Sequence, residues 1–284
     1  MPLIRATGQR LASLSVVIIG MMGLRLDRAR RWRVFAGWAA AWVSCLGLYY
    51  AVFENHGGAG SRKIALAYAA TVWILYYGVV LSSALGGFLR RAMIRRLGEE
   101  RAYAWFEVML GIALLNQCLC QAALIKAYPA GFPVPVPLPL LHLAAALMVL
   151  AGFSWKIWAA SLTGLDIYYC RDMFLRRTIR ANEDGPLVVS GPYRVSGNPM
   201  YGIGNLQGYG TALWYGSWQG LILAAVFQAS IYGFYFLFER PFVRQLRDTA
   251  SLPPTDGSRV PSPRTTAAFD GYPAVECGVA AKEP

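Results

Sequence analysis

Charge is scarce in this chain. Asp, Glu, Lys and Arg make up 15% of its 284 residues against 56% hydrophobic ones, whereas soluble domains are roughly one-quarter charged. With a mean hydropathy of +0.39, the chain reads as an integral membrane protein. Histidine is nearly absent: His56 and His142 are the two present, and neither neighbours another metal-ligand residue. The five cysteines, Cys45, Cys118, Cys120, Cys170 and Cys277, form no C-x-x-C pair and are odd in number. They support neither a disulfide framework nor a zinc site and read as small apolar residues in helices. Carboxylates are outnumbered 15 to 27 by Lys and Arg, for a net charge of +12. The cations fall in short clusters between apolar runs, which is the pattern of topology signals rather than of a nucleic-acid surface.

Long apolar runs are what the sequence has in quantity. A membrane helix needs about 20 mostly apolar residues, and six stretches are read as spans: Val34–Phe53, Ile64–Leu89, Tyr103–Ile125, Leu140–Ser161, Tyr201–Trp214 and Leu221–Phe238. The last two flank "YGSWQG", a tight helical hairpin. Leu11–Leu24 is short for a span and is followed by the basic "RLDRARRWR", on the wrong side for a signal peptide. It is read as an interfacial or re-entrant helix. The expected fold is therefore an all-α polytopic membrane bundle. Arg25–Arg33, Arg90–Arg101, Arg171–Arg194 and Arg240–Arg247 fall on alternate loops, so the positive-inside rule puts Leu162–Pro199 and everything after Phe238 in the cytosol. Four regions follow: 1–33, a basic interfacial segment; 34–139, N-terminal membrane helices; 140–247, a catalytic core; and 248–284, a tail rich in Pro, Ser, Thr and Ala without apolar periodicity, expected to be disordered.

Most polar residues able to do chemistry fall in or beside one cytosolic stretch: "GLDIYYCRDMFLRR", "GPLVVSGPYRVSGNPMYGIGNLQGYG" and "FLFERPFVRQL". Arg176, Arg177 and Arg180 suit anionic lipid headgroups. Gly202, Gly204, Gly208 and Gly210 fit close helix packing or close approach of backbone to a ligand. A dinucleotide fingerprint is excluded, because the spacing is G-x-G-x-x-x-G and no strand precedes it.

"GPYRVSGNPMYG" resembles the GPYR-x-x-R-[HN]-P-x-Y-x-G signature of the membrane phospholipid and isoprenylcysteine methyltransferases. "LFERPF" is similar to the Glu-Glu-Pro-Phe motif of the phosphatidylethanolamine N-methyltransferase branch. The resemblance covers roughly Leu140–Leu246. The resemblance implies a site for S-adenosylmethionine, without metal, built from Gly191, Pro192, Tyr193, Arg194, Asn198, Pro199, Tyr201 and Gly202, with Glu239 and Arg240 from the second motif. Arg240 stands where the family has its second Glu. The small run Ala144–Ala146 lies where phosphatidylethanolamine enzymes carry Gly-x-Gly.

The implied activity is methylation of phosphatidylethanolamine or its monomethyl and dimethyl derivatives in phosphatidylcholine synthesis, with a lipid substrate from the bilayer. Isoprenylcysteine carboxyl methylation and a non-enzymatic scaffold or transporter are the alternatives. Methyl transfer relies mainly on positioning, but an amine acceptor must shed a proton, for which Glu239, Asp166 and Asp172 are the candidate bases. Asp166 and Asp172 also suit helix capping or pairing with Arg171, and Glu239 suits an ion pair with Arg240 or Arg244. Pro241 is expected to stop the last helix. The membrane is the endoplasmic reticulum in a eukaryotic cell or the inner membrane of a bacterium, with the active site facing the cytosol.

Overall fold

A chain in hydrocarbon has no water to bond its backbone, so it must pair every N–H and C=O internally, and a helix does this within one segment. The computed structural model of this protein is all-α, with no strand among the described residues, which are 13–53, 59–84, 87–128, 136–175, 191–196, 198–242 and 244. Helix α1 covers residues 13–21. It is followed by α2 (Trp32–Phe53), α3 (Ala59–Ala84), α4 (Phe88–Leu97), α5 (Glu99–Ala127) and α6 (Leu138–Thr163). Two short helices, α7 (Leu165–Tyr168) and α8 (Arg171–Leu175), precede α9 (Leu206–Trp214) and α10 (Trp218–Phe234). The tail 248–284 and His56 lie outside the described residues.

Five segments among these are long and apolar enough to cross a bilayer: Trp32–Phe53, Ser61–Val80, Glu99–Ala127, Leu138–Thr163 and Trp218–Phe242. The expected span Tyr201–Trp214 is not one of them. Its helix has nine residues, about 14 Å at 1.5 Å per residue, against a hydrocarbon core of about 30 Å. The missing turns are spent on Tyr201–Asn205, where Pro199 and the glycines favour tight turns and a 3-10 segment. The run read as Ile64–Leu89 also divides, with α3 ending at Ala84 and the basic α4 starting after Gly87. The "YGSWQG" hairpin forms as expected. Gly216 takes a left-handed φ of 62°, and the Ser217 hydroxyl caps α10 by accepting from the Gly220 N–H at 3.1 Å.

α1 ends inside the protein. At its end, the carbonyls of Gly20, Met22 and Gly23 accept from Tyr169 (2.7 Å), Trp42 (3.1 Å) and Trp38 (2.8 Å). Such capping satisfies a helix end that has no water. Gly23, at φ 97°, has its backbone against that of Gly111, a contact no side chain would permit. A core of Trp38, Tyr103, Phe106, Tyr169 and Phe174 joins α2, α5, α7 and α8, with Phe106 and Phe174 stacked at 4.6 Å.

An ion-pair cluster fastens this N-terminal segment to the rest. Arg25, only 2% exposed, bonds Glu107 of α5 at 2.8 Å and Asp166 of α7 at 2.6 Å. Asp27 also pairs with it. Arg28 meets the same two carboxylates at 2.9 and 2.8 Å, and Arg171 takes the other Asp166 oxygen at 2.9 Å. Three arginines thus face three carboxylates, which offsets the desolvation of a buried charge. Burial alone would raise the Asp166 pKa, but Arg25, Arg28 and Arg171 hold it below its ordinary value.

A group with a depressed pKa stabilises the fold above its ordinary value, here 3.8, and loses that contribution as pH falls through the lower folded value. The thermal midpoint of the purified protein in detergent should therefore drop on acidification below about pH 4. Asp166→Asn should flatten that drop. Arg25→Met, which leaves the buried Glu107 with Arg28 as its one remaining arginine partner, should destabilise at neutral pH by up to about 3–5 kcal/mol. A midpoint unmoved by Arg25→Met would show that the cluster does not hold the fold.

Candidate active site

The first motif is a pair of tight turns pressed on α6. Gly191–Arg194 forms a single 3-10 turn, and Gly191, at φ 58°, lies so close to α6 that an added Cβ would come 2.9 Å from Leu162 and Trp158. Pro192 and Pro199 are fully buried. The Asn198 carbonyl accepts from the Tyr201 and Gly202 N–H groups at 3.3 and 3.4 Å, and the Pro199 carbonyl from Gly204 at 3.1 Å. Tyr193 reaches Thr163 at the end of α6, and burial raises its hydroxyl above the ordinary pKa. Arg194 is exposed.

The second motif meets the first through one hydrogen bond. The Tyr201 hydroxyl donates to the Glu239 carboxylate at 2.8 Å across 38 residues. Burial, with the Glu239 charge beside it, holds that hydroxyl well above its ordinary pKa. Cys170, Tyr76 and Tyr193 also lie within electrostatic reach of Glu239. Burial pushes the Cys170 thiol up to about 12. The Tyr201 carbonyl is fixed as well, accepting from Asn205 at 3.1 Å and Gln228 at 3.0 Å.

Glu239 is aimed by a change of helix pitch. Tyr235–Glu239 forms a π turn at the end of α10, with the Arg240 N–H bonding Tyr235 five residues back. Helical conformation continues through residues 240–242, so Pro241 does not stop the helix as the sequence suggests. The wider turn before it accommodates a residue that has no N–H. The expected pairing of Glu239 with Arg240 or Arg244 does not occur among the described ion pairs. Arg240 is exposed, its guanidinium 5.8 Å from the Phe236 ring centre.

The other two candidate bases stand apart from this junction. Asp166 belongs to the arginine cluster and pairs with Arg171. Asp172 is in α8, and its side chain lies outside the described residues. Arg176, Arg177 and Arg180, expected to meet lipid headgroups, also lie outside them. Among the described residues no cluster of His, Cys, Asp or Glu is arranged to hold a metal.

Beside the motifs lies a cavity of about 150 Å³ between α5 and α6, with α1, α9 and α10 completing its wall. Its polar lining includes Gln117, Gln121, Lys156, Asn205 and Gln207. Lys156 donates to Asn205 at 3.1 Å. With its amide oriented to satisfy both ends, Gln207 accepts from Lys156 at 3.0 Å and donates to the Gly204 carbonyl. Gln121 donates to the Gly208 carbonyl at 2.9 Å. The sequence reading missed this cavity; the signal that marks it is a lysine within the run Leu140–Ser161, since ionisable residues inside membrane spans mark functional positions. The glutamines carried no such signal.

The glycine run has divided duties. Gly208 lines the cavity. Gly210 is a packing residue: an added Cβ would sit 2.6 Å from the Ala145 carbonyl, and one on Gly152 would sit 2.5 Å from the Gln207 nitrogen. These contacts let α6 and α9 pack more extensively than any other pair of described helices. Ala145, in the small run Ala144–Ala146, is fully buried there.

The bundle thus brings the Glu239 carboxylate to the Tyr201 hydroxyl, and Asn205 links the Tyr201 carbonyl to Lys156 in the polar cavity. Residues 140–247 match the family model described as phospholipid methyltransferase. No curated protein and no solved structure shows significant similarity to the chain.

Gly210→Leu should separate α6 from α9, lowering the thermal midpoint and abolishing methyl transfer together. Gly47→Ala, at a glycine with open space around it, should be neutral or stabilising by up to about 1 kcal/mol. Thermal scans of the two variants in one detergent check the contrast.

Proposed function

We propose that the protein transfers methyl groups from S-adenosylmethionine to the amino group of phosphatidylethanolamine and of its monomethyl and dimethyl derivatives, yielding phosphatidylcholine. The observation that carries this reading is the Tyr201–Glu239 hydrogen bond, which joins the two motifs. The family match over 140–247 supports it.

The residues at the junction fit a cationic ligand. Glu239 is half-buried, accepts from a neutral tyrosine and has no ion pair among the described residues. A sulfonium or ammonium group would complete its charge, and charge-assisted hydrogen bonds contribute about 1.5–3 kcal/mol. Gly191, Pro192, Tyr193, Arg194, Asn198, Pro199 and Gly202 supply the surrounding turns, whose backbone can approach a ligand closely. S-adenosylmethionine supplies an electrophilic methyl group when bound. The chain's task is then to hold both reactants in line and to take one proton.

An ammonium has no lone pair, so the acceptor nitrogen must lose its proton before it can attack. Glu239 is the carboxylate placed to receive it. Asp166 is a poorer base, since the arginines around it keep its carboxyl below the ordinary range even though burial opposes them. A prenylcysteine acceptor presents a carboxylate instead, which an unpaired Glu239 would repel and which needs no base. The amine is therefore the better partner. We place the site on the cytosolic side, in the endoplasmic reticulum of a eukaryotic cell or the inner membrane of a bacterium, on the alternation of basic clusters.

Glu239→Gln should slow methylation of phosphatidylethanolamine by about tenfold to a hundredfold at limiting S-adenosylmethionine, with expression unchanged. Tyr201→Phe should cost less, up to about tenfold. Membranes incubated with labelled donor, followed by lipid chromatography, provide the readout, and a Glu239→Gln variant working at the normal rate would refute the assignment. For topology, the Tyr201–Glu239 bond returns the α9–α10 hairpin to the side it left, so tags after Arg96 and Arg247 should react from the cytosol and one at Gly131 from the opposite side. Cytosolic labelling at Gly131 would overturn the orientation.

A further inference from the structure

The two charge centres of this domain are built differently. In the Arg25 cluster each guanidinium is matched by carboxylates, so that cluster is complete without a ligand. Lys156 is not matched. It lies inside the span Leu138–Thr163, and among the described residues no carboxylate comes within ion-pair distance of it. Two of its three ammonium protons go to the neutral oxygens of Asn205 and Gln207; the third has no partner among the described residues. A lone cation at membrane depth is costly, and it persists where something anionic or polar completes it.

The surroundings describe that missing group. Lys156 faces the cavity, where the buried Gln117 Nε2 has no hydrogen-bond partner. Gln207 and Gly208 of α9 also line it. Two donors, the Lys156 ammonium and the Gln117 amide, thus converge, and no acid is present among the lining residues. The remaining wall is apolar, including Phe153 and Phe227. α5 and α6 bound the cavity without packing closely on each other, and Phe153 is 46% exposed on the bundle surface, the face that meets lipid.

A short chain of contacts leads from this cation to the carboxylate of the motif junction. Asn205 accepts from Lys156 and donates to the Tyr201 carbonyl, while the Tyr201 hydroxyl donates to Glu239. One lone positive group and one lone negative group therefore stand at opposite ends of Asn205 and Tyr201. That is the order of charges complementary to a zwitterionic headgroup, phosphate at one end and ammonium at the other.

We infer that Lys156, with Gln117, forms the subsite for the phosphodiester anion of the lipid substrate, setting the amino group of the headgroup toward Glu239. The inference rests on the proposed function only for the identity of the headgroup. A monoanionic oxygen group on the methyl donor, its carboxylate, shares the same chemistry and is the competing source.

The full-length protein in detergent, assayed by native mass spectrometry, separates these cases without turnover. The probes are phosphatidylethanolamine, phosphatidylmethanol (phosphodiester without amine) and diacylglycerol (neither). The wild-type protein should retain the first two over the third. Lys156→Met should weaken both by about tenfold to a hundredfold and leave diacylglycerol unchanged. Lys156→Arg should restore most of the loss, and Gln117→Leu should give a smaller loss of the same pattern. Equal retention of phosphatidylmethanol by wild type and Lys156→Met would overturn the subsite. So would a Lys156→Met defect confined to S-adenosylmethionine and absent for its decarboxylated analogue, since the anion would then be the donor's carboxylate. Lipid binding that depends on Lys156 in a wild-type protein that transfers no methyl group would refute the proposed function and leave the subsite standing.

Discussion

Satisfying polar groups without water is the constraint on which the rest of this structure depends. Unpaired backbone or charge costs several kcal/mol in hydrocarbon, so irregular backbone survives only where the protein itself supplies partners. α1 ends at depth because Trp38, Trp42 and Tyr169 reach its last carbonyls. The half-length α9 is tolerated because its entry turns are bonded internally and its glycines let α6 pack against it. Arg25 is carried inside because Asp27, Glu107 and Asp166 surround it.

The same constraint separates scaffold from site. Where charges balance, as around Asp166, the arrangement is complete and its role is to tie α1, α5, α7 and α8 together. Where a charge is left single, as at Glu239 and Lys156, the free energy of completing it is available to a ligand. Both single charges sit beside residues of the Asn198–Gly210 segment. The π turn at Tyr235–Glu239 carries the carboxylate to Tyr201, consistent with the frequency of such turns at functional sites.

Much of this architecture was legible from composition alone. A chain with 15% charge and 56% hydrophobic residues has to bury its helices in lipid, and the long apolar runs locate five of them. The tight hairpin at Gly216–Ser217 was legible from its turn residues, and the phospholipid methyltransferase segment from two short motifs. Tyr201–Trp214 was misread because apolar content marks burial and not helix length. Pro241 was misread because local rules assume an α pitch, which the preceding π turn relaxes.

The sequence by itself determined the helical membrane class, the match of residues 140–247 to the phospholipid methyltransferase family model and the residues at which the two motifs stand, because hydropathy and local turn chemistry act over a few residues. Tertiary structure alone decided which charges are paired. Glu107, near the start of the apolar run Tyr103–Ile125, becomes the partner of Arg25, 82 residues away. Asp166 is drawn into that cluster from 141 residues away, while Glu239, flanked by an arginine in sequence, turns instead to Tyr201. Electrostatic partners are set by distance in space, and in a bundle whose helices are joined at ends rather than along their faces, spacing along the chain carries little information about that distance.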